Sequence, residues 1–285
     1  KLADYKYADG HGESVALVDE EDQVVAHCGM IFRRLLIAGR PSPGAQFGDL
    51  MVEPAVRGIG SRQGLPFYRV FTGALQRLKN DTPLPLVFGY PSARATRLGE
   101  RLGLIVEMDQ IQEMVWPALK APLRTVEQLA SPRFAAVVDR LWNAMSQDLA
   151  DAVVGIRDWT YFERRYFHHP VHKYRVFLLR SRWLRSALGV FVLRSHGDMV
   201  ELVDWVAPLA RGMTVIDQAR CVAASMGAQR LVTWQSSAYA HRFAVGTSSC
   251  QSMPICAAVG GEIPSQWMEQ FKGHMWVTAG DTDYH

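Results

Sequence analysis

Val52-Glu53-Pro54-Ala55-Val56-Arg57-Gly58-Ile59-Gly60-Ser61 decides how the first half of this chain is read. A β-rich run over 46–53 ends at Pro54, because proline cannot donate to a strand ladder. A turn with two glycines follows. From 61 to 79, Phe67, Val70, Phe71, Ala74, Leu75 and Leu78 then recur at helical spacing. Strand, glycine turn and helix in this order aim unpaired backbone N–H groups and the positive end of the helix dipole at one point. Gly58 and Gly60 let the backbone approach an anion closely and Arg57 adds a charge, so the segment predicts a phosphate site; a bare turn is the alternative. Gly58-Ile59-Gly60 with Gly64 falls short of the dinucleotide fingerprint, since position 63 is Gln and a proline separates strand from loop.

Working outward, weak alternation over 14–18 and β-rich runs over 24–31 and 35–37 flank the charged turn 19–22 and predict a hairpin. Pro41, Pro43 and Gly44 predict a break before the next strand. Downstream, 84–88 reads as a short buried strand. Ser92 caps a helix that runs to Leu102 and is closed by Gly103, and 104–116 reads as a strand. Two prolines bracket 117–122, the expected linker, which divides the chain into domains 1–118 and 119–285. The second half opens with a helix at Ser131 and Pro132, its stripe Phe134, Val138, Leu141, Met145 and Leu149. An aromatic-basic helical segment over 159–167 stops before Pro170. Strands are expected at 174–180, 187–194, 200–206, 230–234 and 252–259, with helices at 215–226 and from Ser237.

The two halves therefore share an order: hairpin, third strand, proline, helix, strand, short helix, strand. The likeness extends to letters. Asp49, Pro54, Arg57 and Gly58 have counterparts in Asp204, Pro208, Arg211 and Gly212, and the segments 49–58 and 204–212 each end in Pro-x-x-Arg-Gly. Such self-similarity is the sign of a repeated unit.

The first half resembles the GNAT superfamily of acyl-CoA-dependent N-acyltransferases. Its signature, Arg/Gln-x-x-Gly-x-Gly/Ala after a strand ending Val-x-Pro, is similar to Val52-Glu53-Pro54 with Arg57-Gly58-Ile59-Gly60, and the element order matches over most of 14–116. The resemblance implies an α/β fold of two tandem GNAT-like units, each a mixed, mainly antiparallel sheet flanked by helices. It implies acetyl-CoA or another acyl-CoA as cofactor. Loop amides of Arg57, Gly58, Ile59, Gly60 and Ser61 would cradle the pyrophosphate, and the backbone of Met51 and Val52 would meet the pantetheine arm. Arg101-Leu102-Gly103 is similar to the family's next helix ending. Two positions depart from the pattern. Arg62 replaces the last small residue and must point away from the phosphates or reach toward the nucleotide. Gly99 stands where a tyrosine often acts as general acid. The second half has nothing to match Gly60 and is expected to bind no cofactor. The ending 276–284 resembles bacterial tandem acetyltransferases of the sugar or envelope type. The first strand and helices of a complete unit are missing before Ser14; residues upstream of Lys1 or the helices of 123–167 would supply them.

Acyl transfer from a thioester to an amine needs a deprotonated nucleophile, donors for the developing oxyanion and a proton for the thiolate. Asp49 and Glu53, four residues apart and so on one strand face, are the nearby carboxylates, with Asp49 favoured as base. Tyr90 is the candidate proton donor. Asp281 and Asp283 are candidates to hold a cationic acceptor such as an amino sugar, against the simpler reading of a solvated acidic tail. His27 and Cys28 lie in a β-rich run and read as a satisfied histidine and an inert thiol. His168, His169 and His172 flank Pro170 and do not share a helical face, so no metal is expected. The rival readings are a non-catalytic coenzyme A sensor or interaction protein, which Gly99 favours, and aminoacyl transfer from charged tRNA.

Composition bounds these readings. The 285 residues carry 31 Lys+Arg against 28 Asp+Glu, net +3, a total that gives no support to a polyanion-binding surface, so no nucleic-acid partner is expected. Hydrophobic residues at 48% support packed cores, and no apolar run approaches the roughly 20 residues a membrane span needs. Cys28, Cys221, Cys250 and Cys256 lack CxxC spacing, and no signal peptide precedes them, which suits a reducing cytoplasm. Serine hydrolase, zincin and P-loop signatures are absent.

Overall fold

The computed structural model describes residues 2–7, 10–58, 61–80, 85–121, 125–129, 132–261 and 265–282, so Ile59, Gly60 and Asp283 lie outside the described residues. By contact the chain forms two units. One comprises Lys1–Leu35, Pro41–Asp109 and Pro254–Lys272, the other Leu36–Arg40, Gln110–Met253 and Gly273–His285.

The first unit contains helix α1 (Leu2–Tyr7) and strands β1 (Gly12–Val18), β2 (Val24–Ile37) and β3 (Arg40–Val52). Helix α2 (Pro66–Leu78), strand β4 (Leu86–Gly89), helix α3 (Ala93–Arg101) and the start of β5 (Ile105–Pro117) follow. β1 and β2 form the expected antiparallel hairpin, β3 runs parallel to β4, and β4 is antiparallel to the far end of β12 (Ser249–Gly260), with Gly89 opposite Ala258. α2 lays Val70, Ala74 and Leu78 on Ala26, Cys28, Met30, Ala45 and Val87. This face buries Cys28, and burial pushes its thiol up to about 12, so it is inert.

Two expectations are corrected here. Pro41, Pro43 and Gly44 do not break the chain but lie inside β3. Prolines two apart point their missing donors to the same side of a strand, and β4 pairs with β3 only from Gly44 onward. The helix expected from Ser61 starts at Pro66: Arg62–Gly64 wind into a 3₁₀ turn, Leu65 is extended at the N-cap, and Pro66 takes the first helical position, where its missing N–H costs nothing. Ser92 caps α3 as expected, its Oγ accepting from the Ala95 N–H, and Gly103 closes it at φ +67°.

The second unit holds β6 (Thr125–Leu129), α4 (Ala135–Asp148), β7 (Val153–Gly155), α5 (Trp159–Phe162) continued by a π turn over Glu163–Phe167, β8 (Arg175–Arg180), β9 (Ala187–His196) and β10 (Met199–Val206). Then come α6 (Gly212–Ser225), β11 (Arg230–Ser236), the four-residue α7 (Ser237–Ala240), β12 and, at the end, β13 (Met275–Trp276) paired with β7. α8 (Ser265–Phe271) belongs to the first unit. β10 runs parallel to β11 and the ladders β5·β11, β9·β10, β8·β9 and β6·β8 are antiparallel. α4 and α6 both pack on β9. The α4 stripe is buried as its spacing predicts, in a core that also holds Trp116, Trp205 and Trp276. Each unit is thus a mixed, mainly antiparallel sheet with helices, and β1–β2–β3–α2–β4–α3–β5 has its counterpart in β8–β9–β10–α6–β11–α7–β12.

No helix among the described residues is long and apolar enough to cross a membrane.

Candidate functional site

In the first unit the parallel pairing of β3 with β4 stops at Phe47 and Gly89, and β3 runs on alone on that side to Val52. Gly89 is required at the fork, since a Cβ there would sit 2.8 Å from the Phe47 carbonyl oxygen. Phe47 and Leu50, three apart, both pack toward α2. Side-chain alternation therefore slips by one over Gly48 and Asp49, and Asp49 takes the left-handed φ of +48°. That extra residue is a β-bulge, which bends β3 where it leaves β4.

On the sheet face opposite α2 the bulge gathers side chains that sequence spacing does not link. Lys6 donates to both Asp49 carboxylate oxygens, at 3.0 and 2.9 Å, and the Tyr7 hydroxyl donates to one of them at 2.6 Å. His27 Nδ1 lies 2.9 Å from the Asp49 carbonyl oxygen. A carbonyl only accepts, so Nδ1 carries the proton in this bond, and in the neutral tautomer this leaves the lone pair on Nε2. Gly29 makes room for Tyr7, because a Cβ at 29 would collide with the Tyr7 hydroxyl. Partial burial pushes the Asp49 carboxyl up, but the hydrogen bonds from Tyr7 and Lys6 and the charge of Lys6 outweigh it and hold the group below its ordinary value. Asp49 is accordingly an ionised, occupied acceptor. Glu53 is not beside it: the bulge and the end of the strand separate them, and Glu53 is exposed, with its backbone N–H on the Val25 carbonyl at 2.9 Å.

The loop after β3 folds as a 3₁₀ turn, Pro54–Val56, closed by Arg57, whose Nε donates to the Val52 carbonyl at 2.9 Å. Gly58 follows at φ +78°, and a Cβ there would meet no described atom within 4 Å. The Ser61 carbonyl accepts from the Gly64 and Leu65 N–H groups. Met51 is exposed and Val52 half-buried on the unpaired stretch of β3. Arg62 Nη2 donates to the Leu102 carbonyl at 2.6 Å, tying the loop to the end of α3. Tyr90 lies buried just past β4, edge-on to Phe88. At position 99 the Ile105 side chain occupies the place a Cβ would take, 2.6 Å from its Cγ1, which accounts for glycine there.

The second unit repeats the plan with another outcome. Pairing of β10 with β11 stops at Leu202 and Thr233, and the β9·β10 register shifts between Leu202 and Asp204. Asp204 thus sits two residues past the fork, as Asp49 does, and it too accepts from a cation and a tyrosine: Arg157 Nε at 3.0 Å and the Tyr166 hydroxyl at 2.7 Å. Here everything is sealed. Arg157 and Asp204 are 0% exposed. Burial lowers the Arg157 pKa, but Asp204 and Asp281 override it and hold the guanidinium charged. Thr278 bridges β11 at Gln235 and donates to Asp204 at 3.1 Å, so the chain's own last segment fills this fork. Gly212, counterpart of Gly58, is helical, and a Cβ there would run into Phe243 and Trp205.

The expectation that Asp281 holds a cationic acceptor is corrected by the same network. Its carboxylate is engaged by Arg157 and by the Thr278 N–H at 2.9 Å, closing a capping box. Asp283 lies outside the described residues. Tyr161, Arg165 and Tyr166 of the aromatic-basic segment pack in this buried region, with Arg165 on the Gly280 and Thr282 carbonyls. His169 Nδ1 accepts the His172 N–H at 2.9 Å, and no cluster of three metal-ligating side chains occurs among the described residues.

No family model and no curated protein matches the chain in sequence. Its architecture does match solved structures. A probable N-acyltransferase of unknown function from Enterococcus faecalis superposes with TM-score 0.64 at 15% identity, over 87% of this chain and 62% of that one. The chain has the GNAT fold. A GCN5-related N-acetyltransferase from Kribbella flavida gives TM-score 0.61 at 16% identity, over 88% of this chain and 59% of that one. Saccharomyces cerevisiae N-myristoyltransferase with bound myristoyl-CoA gives 0.57 at 9%, over 86% and 69%. The chain thus spans about three fifths of the first two of these proteins.

Proposed function

We propose that the chain transfers an acyl group from acyl-CoA to an amine at the fork of the first unit, and that the second unit binds no cofactor. The observation that supports this most is the contrast between the two forks. In the first, β3 runs on past Phe47 without a parallel partner and a Cβ at Gly58 would meet no described atom within 4 Å; the second is filled by Val277 and Thr278 and walled at Gly212. Acetyl-CoA is the first coenzyme to test, and the names of the myristoyl-CoA-bound and acetyltransferase neighbours make longer acyl chains the second.

The N–H groups of Gly58, Ile59, Gly60 and Ser61 would hold the pyrophosphate, the Arg57 N–H being taken by the Pro54 carbonyl at 3.3 Å. The free edge of β3 at Met51 and Val52 would hold the pantetheine arm by strand-like hydrogen bonds. Attack of the amine nitrogen on the thioester carbon forms the C–N bond and breaks C–S. His27 Nε2 takes the amine proton. Asp49, occupied by Lys6 and Tyr7, fixes the bulge and the imidazole through its carbonyl rather than acting as the base. Tyr90 remains the candidate to protonate the departing thiolate, and Glu53 lies at the solvent side. Amino sugars and other small amines are the acceptors to screen.

A thermal unfolding scan tests the coenzyme reading. A ligand at 100 times its dissociation constant stabilises the native state by about 2.7 kcal/mol, or several degrees of midpoint. Acetyl-CoA and coenzyme A should each raise the midpoint and NAD should not; no shift with any acyl-CoA would sink the reading. Gly58→Asp sharpens the test. Aspartate tolerates positive φ better than most residues, so the unliganded midpoint should hold, while its charge opposes a phosphate. The coenzyme dissociation constant should rise about tenfold or more by calorimetry.

A further inference from the structure

The loop joining β8 to β9 carries the two most exposed large hydrophobic side chains among the described residues: Trp183 is 86% exposed and Leu184 82%. They are adjacent, whereas scattered single exposed apolar residues need no explanation. The same unit buries Trp116, Trp205 and Trp276 almost completely. The loop is also rigidly built. Ser181 donates to the Ser186 carbonyl at 2.8 Å and Arg185 to the Ser181 carbonyl at 3.1 Å. Leu184 N–H meets Ser181 Oγ at 3.4 Å and Arg180 Nη1 the Arg185 carbonyl at 3.1 Å. Arg185 accepts a φ of +51° to close the turn. Arg182 lies over the Trp183 ring, 5.6 Å from its centroid. Every charge in the loop is positive; the acid at its base, Glu127 on β6, is already shared by Arg180 and Arg133.

We propose that this hairpin tip docks on an anionic lipid surface, with Trp183 and Leu184 entering the interfacial layer and Arg182 and Arg185 meeting lipid phosphates. Tryptophan favours that layer because its ring is apolar with one polar N–H. Arginines of one sign on either side match an anionic leaflet. A fluid interface needs no shape-complementary cleft for two side chains at an apex, and a preordered loop loses little entropy on docking. Two apolar side chains give reversible attachment only.

The test is sedimentation of the whole chain with phosphatidylcholine vesicles, with and without phosphatidylglycerol, at low and high salt. Binding is expected to the anionic vesicles at low salt and to fall with salt. Each arginine near such a surface contributes about fivefold in partition, so Arg182→Gln with Arg185→Asn should lower binding about 30-fold. Trp183→Ser with Leu184→Ser should also release the protein. Both pairs should keep the melting midpoint, because neither the core nor a ladder rests on these side chains. Failure to bind anionic vesicles at low salt, or equal binding by the serine pair, would overturn the proposal. So would a dimer that Trp183→Ser abolishes in the absence of vesicle binding, which would assign the tip to a second copy of the chain.

Discussion

Arg157→Met should lower the melting midpoint by about 10 °C. The change removes one cation from a site where Arg157 and Asp204 are wholly buried and Asp281 is mostly so. Two carboxylates and the Thr278 hydroxyl lose their shared donor. Breaking such a pair costs about 3–5 kcal/mol because the remaining charge stays desolvated. A chain of this size moves by about 2–4 °C per kcal/mol. Circular dichroism of the single variants and of Arg157→Met with Asp204→Asn checks the cause. The double variant should be less destabilised than the sum of the two singles, since it removes the orphaned charge along with its partner. Strict additivity would mean that the pair is not the coupled unit described. Lys6→Met, at the matching place in the first unit, should cost no more than about 1 kcal/mol, because Asp49 is still one third exposed.

That difference carries the synthesis. A carboxylate two residues past the fork, held by a cation and a tyrosine, occurs in both units, and only its burial differs. In the second unit the last segment of the chain has closed over the constellation and turned it into a structural staple. In the first the same constellation borders a strand edge without a parallel partner.

Much of this is legible in the sequence alone. The Pro-x-x-Arg-Gly echo marks the duplicated unit because proline ends the strand in both halves, although Gly58 then turns the loop at φ +78° whereas Gly212 opens a helix. The helical stripes of α2 and α4 and the Ser92 cap could be read because their signals are local. What escaped was non-local. α1 is six residues long, too short for periodicity to register. β7 and β13 span three and two residues and exist through each other's pairing. Asp281 reads as part of a solvated tail until Arg157, 124 positions earlier, is placed against it. The bulge is silent as well: Gly48-Asp49 hints at a turn, yet only the packing of Phe47 and Leu50 on one face shows that alternation slipped. Because of that slip, the face shared by Asp49 and Glu53 in an ideal strand does not exist. The position of His27 against the Asp49 carbonyl was beyond reach for the same reason.

His27→Gln should reduce amine-dependent thiol release from acyl-CoA by about 10²–10⁴-fold, the usual contribution of a positioned base, and leave the coenzyme's thermal shift intact. Glutamine can still donate to the Asp49 carbonyl but offers no basic nitrogen, so it separates proton transfer from the ring's structural bond. His27→Ala should regain part of the lost rate when imidazole is added, a rescue that a purely structural histidine would not show. Asp49→Asn is the companion variant. Should Asp49 be the base after all, the asparagine variant would lose turnover as severely as His27→Gln while still binding coenzyme. With Asp49 occupied by Lys6 and Tyr7, a smaller loss is expected, reflecting a loosened bulge. Coenzyme binding with full turnover in His27→Gln would remove His27 and leave the acyl-CoA reading standing. Absence of coenzyme binding by the unaltered chain would instead remove the acyl-CoA reading itself, so the two failures are told apart by one pair of measurements.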